Sequence, residues 1–179
     1  MNNLFVITGG PGAGKTTLLN SLEAKGYKVI PEVARIIIRK EVERKGDALP
    51  WKNKELYTDK MITASIQDYK TVNKEQQTEI CFFDRGTLDA LCYAEMIGYT
   101  LAPEIIEKVR KCKYNSKVFI LPPWKEIYTT DTERKQDWKE ANDTYTYLKN
   151  MYERFGYEVV VVPIGTVDER KEFILNQIS

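Results

Sequence analysis

The chain contains no histidine at all. That absence removes imidazole acid–base chemistry, Ser/His and Cys/His nucleophilic pairs and histidine metal sites from the available mechanisms. Cysteine is scarce. Cys81, Cys92 and Cys112 are the three present, an odd number without metal-ligand spacing. Cys81 falls in an apolar run and Cys92 in a helical pattern, so buried thiols are expected. No apolar run approaches a membrane span, and the N-terminus has no basic segment leading into a signal-type stretch. A soluble, cytoplasmic protein is the expectation. Neither charge sign is in excess: 27 Lys and Arg against 26 Asp and Glu leave a net charge of +1. The charges are well mixed, so there is no polyanion-binding footprint and no nucleic-acid partner is expected. The lysine-rich stretch from Lys108 to Lys113 reads as a solvated helix end. Repeats, low-complexity tracts and linkers are also missing. The 179 residues fit one domain over 1–179, with a core that needs no disulfides.

What is present is an alternation of strands and helices, the pattern of an α/β fold on a parallel sheet. Leu4–Thr8 is the first strand, followed by a helix from Gly14 to Lys25 that Gly26 closes. Tyr27–Ile30 is a short second strand, and Glu32 opens a helix running to Lys45. After Pro50-Trp51 a long helix covers Asn53–Lys74, with Ile62, Ile66 and Tyr69 on one face. Ile80–Phe83 is a fully apolar strand ending in Asp84. Thr87 is placed to cap the next helix, and Pro103 suits the first turn of the one after it. Val118–Leu121 is the fourth strand, stopped by Pro122-Pro123. The polar segment Trp124–Gln136 leads into a helix reaching Phe155, Val159–Val162 is the fifth strand, and Thr166 with Glu169 forms a capping box for the last helix.

The first strand runs straight into Gly9-Gly10-Pro11-Gly12-Ala13-Gly14-Lys15-Thr16-Thr17. This is the pattern G-x-x-x-x-G-K-[ST] between a strand and a helix, the context its physics requires. Glycines let backbone N–H groups approach a polyphosphate that Cβ atoms would hold off, and the helix adds its positive N-terminal end. These nine residues are therefore the candidate nucleotide site. Lys15 is placed for the β- and γ-phosphates, and Thr16 for Mg²⁺.

Ligands in open parallel sheets bind beyond the carboxyl ends of the strands, so the residues just after each strand carry the remaining chemistry. Asp84 ends an apolar strand as a Walker B carboxylate does, a second Mg²⁺ ligand; the alternative is a cap for the Thr87 helix or a partner for Arg85. The next residue is Arg85 rather than a second carboxylate, which points toward phosphoryl transfer and away from efficient hydrolysis. Arg85 suits a substrate oxygen or a phosphate, or else a salt bridge to Asp84 or Asp89. Glu32, after strand 2, is placed as a general base for an acceptor hydroxyl, with Arg35 on the same helical face; the plainer alternative is a favourable charge in a helix's first turn. After strand 4, residues Thr130–Lys135 can form a lid that brings Arg134, or in its stead Lys135, over the γ-phosphate, while Thr130 with Glu133 also fits a capping box. The Pro163–Val167 loop can pack against the base or serve simply as turn and cap.

The segments GGPGAGKTT, PEVAR, FFDRG with Asp89, PPWxxIYxxDxER, GYxVVxVP and TVxER together resemble the AAA-domain ATPase/kinase family, which includes the kinase domain of NadR-type nicotinamide riboside kinases. The resemblance runs from Asn3 to Ile178. It implies a P-loop NTPase fold, a three-layer αβα sandwich whose five parallel strands take the order 2-3-1-4-5, with a lid at 124–140. It carries over Gly9, Gly14, Lys15 and Thr16 as nucleotide and Mg²⁺ contacts, Asp84 and Arg85 as metal-side and substrate-side residues, and Arg134 as the lid arginine.

The leading expectation is a kinase. ATP with Mg²⁺ (GTP being the other donor) occupies the P-loop, Glu32 takes the proton of a nucleoside-, cofactor-precursor- or sugar-like acceptor, and Arg85 and Arg134 stabilise the transferring group. Tyr57 and Tyr69 are available to stack on an acceptor ring, with core packing the commoner alternative for helical aromatics. The alternative is a nucleotide-dependent switch or slow ATPase or GTPase without an acceptor. A Ras-type GTPase is disfavoured by the lack of an N-K-x-D motif, and a polynucleotide kinase by the lack of a basic groove.

Overall fold

The structure is a computed structural model and describes residues 2–74, 79–126 and 138–178. Twelve elements follow one another: β1 (Leu4–Gly9), α1 (Lys15–Ala24), β2 (Lys28–Ile30), α2 (Val33–Glu43), α3 (Lys54–Lys74), β3 (Cys81–Asp84), α4 (Thr87–Met96), α5 (Pro103–Arg110), β4 (Lys117–Leu121), α6 (Trp138–Arg154), β5 (Glu158–Val161) and α7 (Val167–Ile178). The strands pair in parallel in the order β2-β3-β1-β4-β5.

Successive side chains of a strand point to opposite faces, and here that alternation sorts the core into two. Leu4 and Val6 of β1, Cys81 and Phe83 of β3, and Val118 and Ile120 of β4 face a cluster completed by residues of α3, α4 and α6. Phe5, Ile7, Phe82, Phe119 and Leu121 face the other way, onto Leu18, Leu19 and Leu22 of α1 and Ile174 and Leu175 of α7. Strands buried on both faces are what a parallel sheet covered by helices demands. The product is the three-layer sandwich.

The register places the site. Ile7 lies opposite Asp84, and the Arg85 N–H continues the ladder by donating to the Ile7 carbonyl at 3.0 Å. The carboxyl end of β3 therefore stands beside the loop that follows β1. Thr166 and Glu169 cap α7 as expected, the Thr166 N–H donating to the Glu169 carboxylate at 2.8 Å and the Glu169 N–H to Thr166 Oγ1 at 3.3 Å. Thr87 does not cap α4. Gly86 is the cap residue, and the side chain that closes this end is Asp89, which accepts the Gly86 N–H at 2.9 Å. The Thr87 hydroxyl is instead buried, with no hydrogen-bond partner among the described residues. Among the described residues, no helix is long and apolar enough to cross a membrane. All three cysteines are buried thiols.

Candidate active site

Residues 10–14 join β1 to α1. Gly14 caps the helix at φ 77°, ψ 20°, left-handed backbone that side chains with a Cβ avoid, and it offers no side-chain acceptor to the first-turn N–H groups. Those donors and the positive helix end are left for an anion. Gly10 is tight for another reason: a Cβ there would lie 2.9 Å from the Ala141 carbonyl oxygen of α6. Lys15 is buried, 6 % exposed, while Thr16 beside it is exposed at the mouth of the loop. An uncapped helix start, a buried ammonium and an accessible hydroxyl fit a polyphosphate with Mg²⁺.

Lys15 Nζ hydrogen-bonds Asp84 Oδ1 and lies 3.9 Å from Glu32 Oε2. The loop lysine, the β3 carboxylate and the residue after β2 thus meet at one point. Glu32 is 12 % exposed and accepts Arg85 Nε at 2.7 Å and Arg35 Nε at 3.2 Å. Burial pushes its carboxyl up, but the charges of Arg85 and then Lys15 outweigh burial and hold it at about 2. Burial, and next the like charge of Arg85, lower the Lys15 ammonium against the pull of Glu32 and Asp84. Arg85 moves the other way: burial works against its charge, yet Glu32, Asp89 and Asp84 together hold it firmly protonated. Its backbone sits at φ 72°, an uncommon conformation for a residue with a side chain.

Behind Arg85 stands Asp89 on α4, buried and fully engaged. Its Oδ1 accepts Arg85 Nη1 at 3.0 Å and Thr8 Oγ1 at 2.5 Å; its Oδ2 accepts Tyr152 Oη at 2.6 Å and the Gly86 N–H at 2.9 Å. One carboxylate thereby ties β1, the β3 end, α4 and α6 together and aims the Arg85 guanidinium at Glu32.

The structure brings together Lys15, read from the P-loop, with Glu32, Asp84 and Arg85, read from the ends of strands. Of the readings of Arg85, the salt bridge to Asp89 is present, and the guanidinium also pairs with Glu32. The stacking role for Tyr57 and Tyr69 does not hold. Both are core residues at 5 % and 7 % exposure; Tyr57 packs edge-on against Tyr93, and Tyr69 Oη donates to the Lys113 carbonyl at 3.1 Å. An α3 face that must cover the sheet takes the rings inward. Thr130, Glu133, Arg134 and Lys135 of the expected lid lie outside the described residues. Sequence reading did not find Thr8 or Tyr152, whose bonds to Asp89 span 81 and 63 residues of chain. Asp89 is read from the sequence only as a salt-bridge partner for Arg85 and alongside the FFDRG segment, without its bonds to Thr8 and Tyr152.

A parallel sheet of order 2-3-1-4-5 with a glycine-rich loop between β1 and α1 defines a P-loop NTPase of nucleotide-kinase-like build. A family profile described as an AAA domain matches residues 4–170, and the chain belongs to that family. No curated protein sequence matches. Among solved structures, a NadR protein in complex with NR superposes with a TM-score of 0.71 at 20 % identity, over 98 % of this chain and 50 % of that one. This chain thus spans about half of that protein's length. A deoxyadenosine kinase from M. mycoides with bound dATP superposes at 0.59 and 17 % identity, over 98 % of both chains. A shikimate kinase from Acinetobacter baumannii in complex with shikimate does so at 0.58 and 15 %, over 98 % of this chain and 92 % of that one. At these identities the likeness is one of fold.

Proposed function

We propose that the protein is a kinase that transfers the γ-phosphoryl group of ATP to a hydroxyl of a small nucleoside-, cofactor-precursor- or sugar-like acceptor. The observation that carries this reading is the Glu32–Arg85 pair, in contact at 2.7 Å and within reach of the P-loop lysine. A base and a fixed cation side by side at the donor phosphates are what an acceptor hydroxyl requires. The position beside Asp84 is held by this arginine, where a hydrolytic enzyme would keep a second carboxylate to activate water. Proteins that share the fold include a NadR protein in complex with NR and two kinases, a deoxyadenosine kinase and a shikimate kinase.

In this mechanism the glycine-rich loop and the start of α1 bind the phosphates, and Lys15 leaves Asp84 to engage them. Thr16 and Asp84 would hold Mg²⁺, which supplies charge neutralisation on the phosphates when bound. Glu32 orients the acceptor hydroxyl and takes its proton at a carboxylate oxygen as the new O–P bond forms and the bond from the γ-phosphorus to the bridging oxygen breaks, with ADP as the leaving group. Arg85, kept in place by Asp89, faces the negative charge that gathers on the transferring group. Arg134 is the lid cation in this reading. Glu32, held near the bottom of the carboxylate range, is a weak base. Proton uptake at Glu32 is therefore late, as suits a loose phosphoryl-transfer transition state.

The test is incubation with γ-labelled ATP, Mg²⁺ and a panel of nucleosides, cofactor precursors and sugars. A labelled small molecule is expected, and Lys15→Ala should abolish its formation. Release of inorganic phosphate alone, slow and indifferent to every acceptor, would assign the protein to the switch or slow ATPase class.

A further inference from the structure

Arg170 lies on α7, at the end of the TVxER segment, and the mechanism above gives it no part. Its position is nonetheless unusual. Arginine is among the residues least often buried, yet Arg170 is 3 % exposed. Its Nη2 donates to the main-chain carbonyl of Ala13 at 2.9 Å, across 157 residues of sequence. Its guanidinium carbon lies 5.8 Å from the ring centre of Trp124, the residue that follows β4 and the two prolines. Its Nε is buried without a hydrogen-bond partner among the described residues. A cation has been brought to the back of the phosphate loop and spent on one peptide carbonyl there.

That peptide has a second end. The Ala13 carbonyl and the Gly14 N–H belong to one planar trans unit, so they point in opposite directions. A donor that holds the carbonyl from the α7 side turns the Gly14 N–H away from α7. A charged donor also polarises the unit, which makes its N–H a stronger donor in turn. Gly14 is the residue that starts α1, with nothing of its own to offer the helix end.

We infer that Arg170 is a positioning residue for the phosphate site: by holding the Ala13 carbonyl it aims and strengthens the Gly14 N–H as a donor to a bound phosphate. The inference rests on the proposed nucleotide binding by the P-loop. It does not depend on which acceptor is used, or on whether transfer occurs at all. Arg170 acts through the peptide, without touching the ligand.

Three measurements on the full chain test it. The first is equilibrium binding of AMP, ADP and ATP to the wild type, Arg170→Met and Arg170→Lys. A lost charge-assisted hydrogen bond predicts that Arg170→Met weakens ADP and ATP by about tenfold to a hundredfold, with AMP much less affected. The second is the Gly14 amide proton in ¹H–¹⁵N spectra. It should move downfield on ADP addition in the wild type, and by less than half as much in Arg170→Met. The third is rescue: Arg170→Lys keeps a charged donor and should recover part of both effects, and it decides the matter if the methionine variant does not fold. Equal weakening of all three nucleotides with an unchanged Gly14 response would overturn the inference and leave Arg170 a strut between α7 and the loop. So would wild-type affinities in Arg170→Met, in either case leaving the P-loop reading intact. Failure of the wild type itself to bind ADP or ATP would bring down the P-loop reading and this inference with it.

Discussion

A carboxylate ringed by Arg85, Arg35 and Lys15 keeps its charge deep into acid. For Glu32 the consequence for catalysis is a pH profile without an acid limb where most enzymes show one. Once the nucleotide's own phosphate ionisation at about pH 6 is divided out, the profile of kcat/KM reports the free enzyme, so it should stay level from about pH 8 down to about pH 4. A limb near pH 6 would assign the base to another group, and the chain has no histidine to supply one. Glu32→Gln should lower transfer by about a hundredfold to ten-thousandfold while ATP still binds. Stability carries the same sign. A carboxyl lowered from 4.5 to about 2 stabilises the fold fully above its ordinary value and loses that contribution as the pH falls toward 2. The amount is about 3 kcal/mol. Urea midpoints measured across this range should fall more steeply for the wild type than for Glu32→Gln. The residues of this group were legible because each follows a strand, and the sheet brings strand ends together. Thr8 and Tyr152 were not, since nothing local announces that a hydroxyl will meet a carboxylate on a distant element.

Among the elements, α6 touches the site at both of its ends. Its first turn touches the phosphate loop where Ala141 meets Gly10, and its last turn holds Asp89 through the Tyr152 hydroxyl. Tyr152→Phe removes one donor from a buried, fully engaged carboxylate and should cost about 1.5–3 kcal/mol in urea unfolding. A change within about 0.5 kcal/mol would mean that water or another donor replaces the hydroxyl. Gly10→Ala should force α6 off the loop, lowering the melting temperature and weakening ADP in calorimetric titration, with overpacking typically costing about 1–3 kcal/mol. Undiminished binding would show that this helix end yields without disturbing the loop. Strands and helices were placed from sequence to within a residue or two because both faces of every central strand are apolar and the helix ends carry ordinary signals. The cap of α4 slipped by one residue. Thr87 has the right chemistry, but the left-handed backbone at Arg85 delivers the chain to the helix at Gly86, and Asp89 supplies the closing bond.

For the molecule as a whole, strand periodicity specified a covered parallel sheet, while the order 2-3-1-4-5 came from family resemblance. Periodicity tells a strand which faces are buried and is silent on which neighbour it takes. The acceptor was not legible on either ground, because its pocket depends on side chains gathered from several elements and not on any one motif. The division of the core into two has one further use. Cys81, Cys92 and Cys112 all belong to the cluster under α3, α4 and α6, and none to the one under α1 and α7. Burial pushes the Cys92 thiol up to about 12, with Asp89 and Glu95 adding to it, and burial likewise pushes Cys112 up to about 11. Native thiols of this kind react slowly, since the thiolate is the reactive form and it needs access. A colorimetric thiol reagent should therefore modify the protein only as fast as that layer opens, and slower still with nucleotide bound. Prompt labelling of all three in the native state would contradict the packing. The chain carries its own stopwatch for one side of its sheet, and the other side keeps no time.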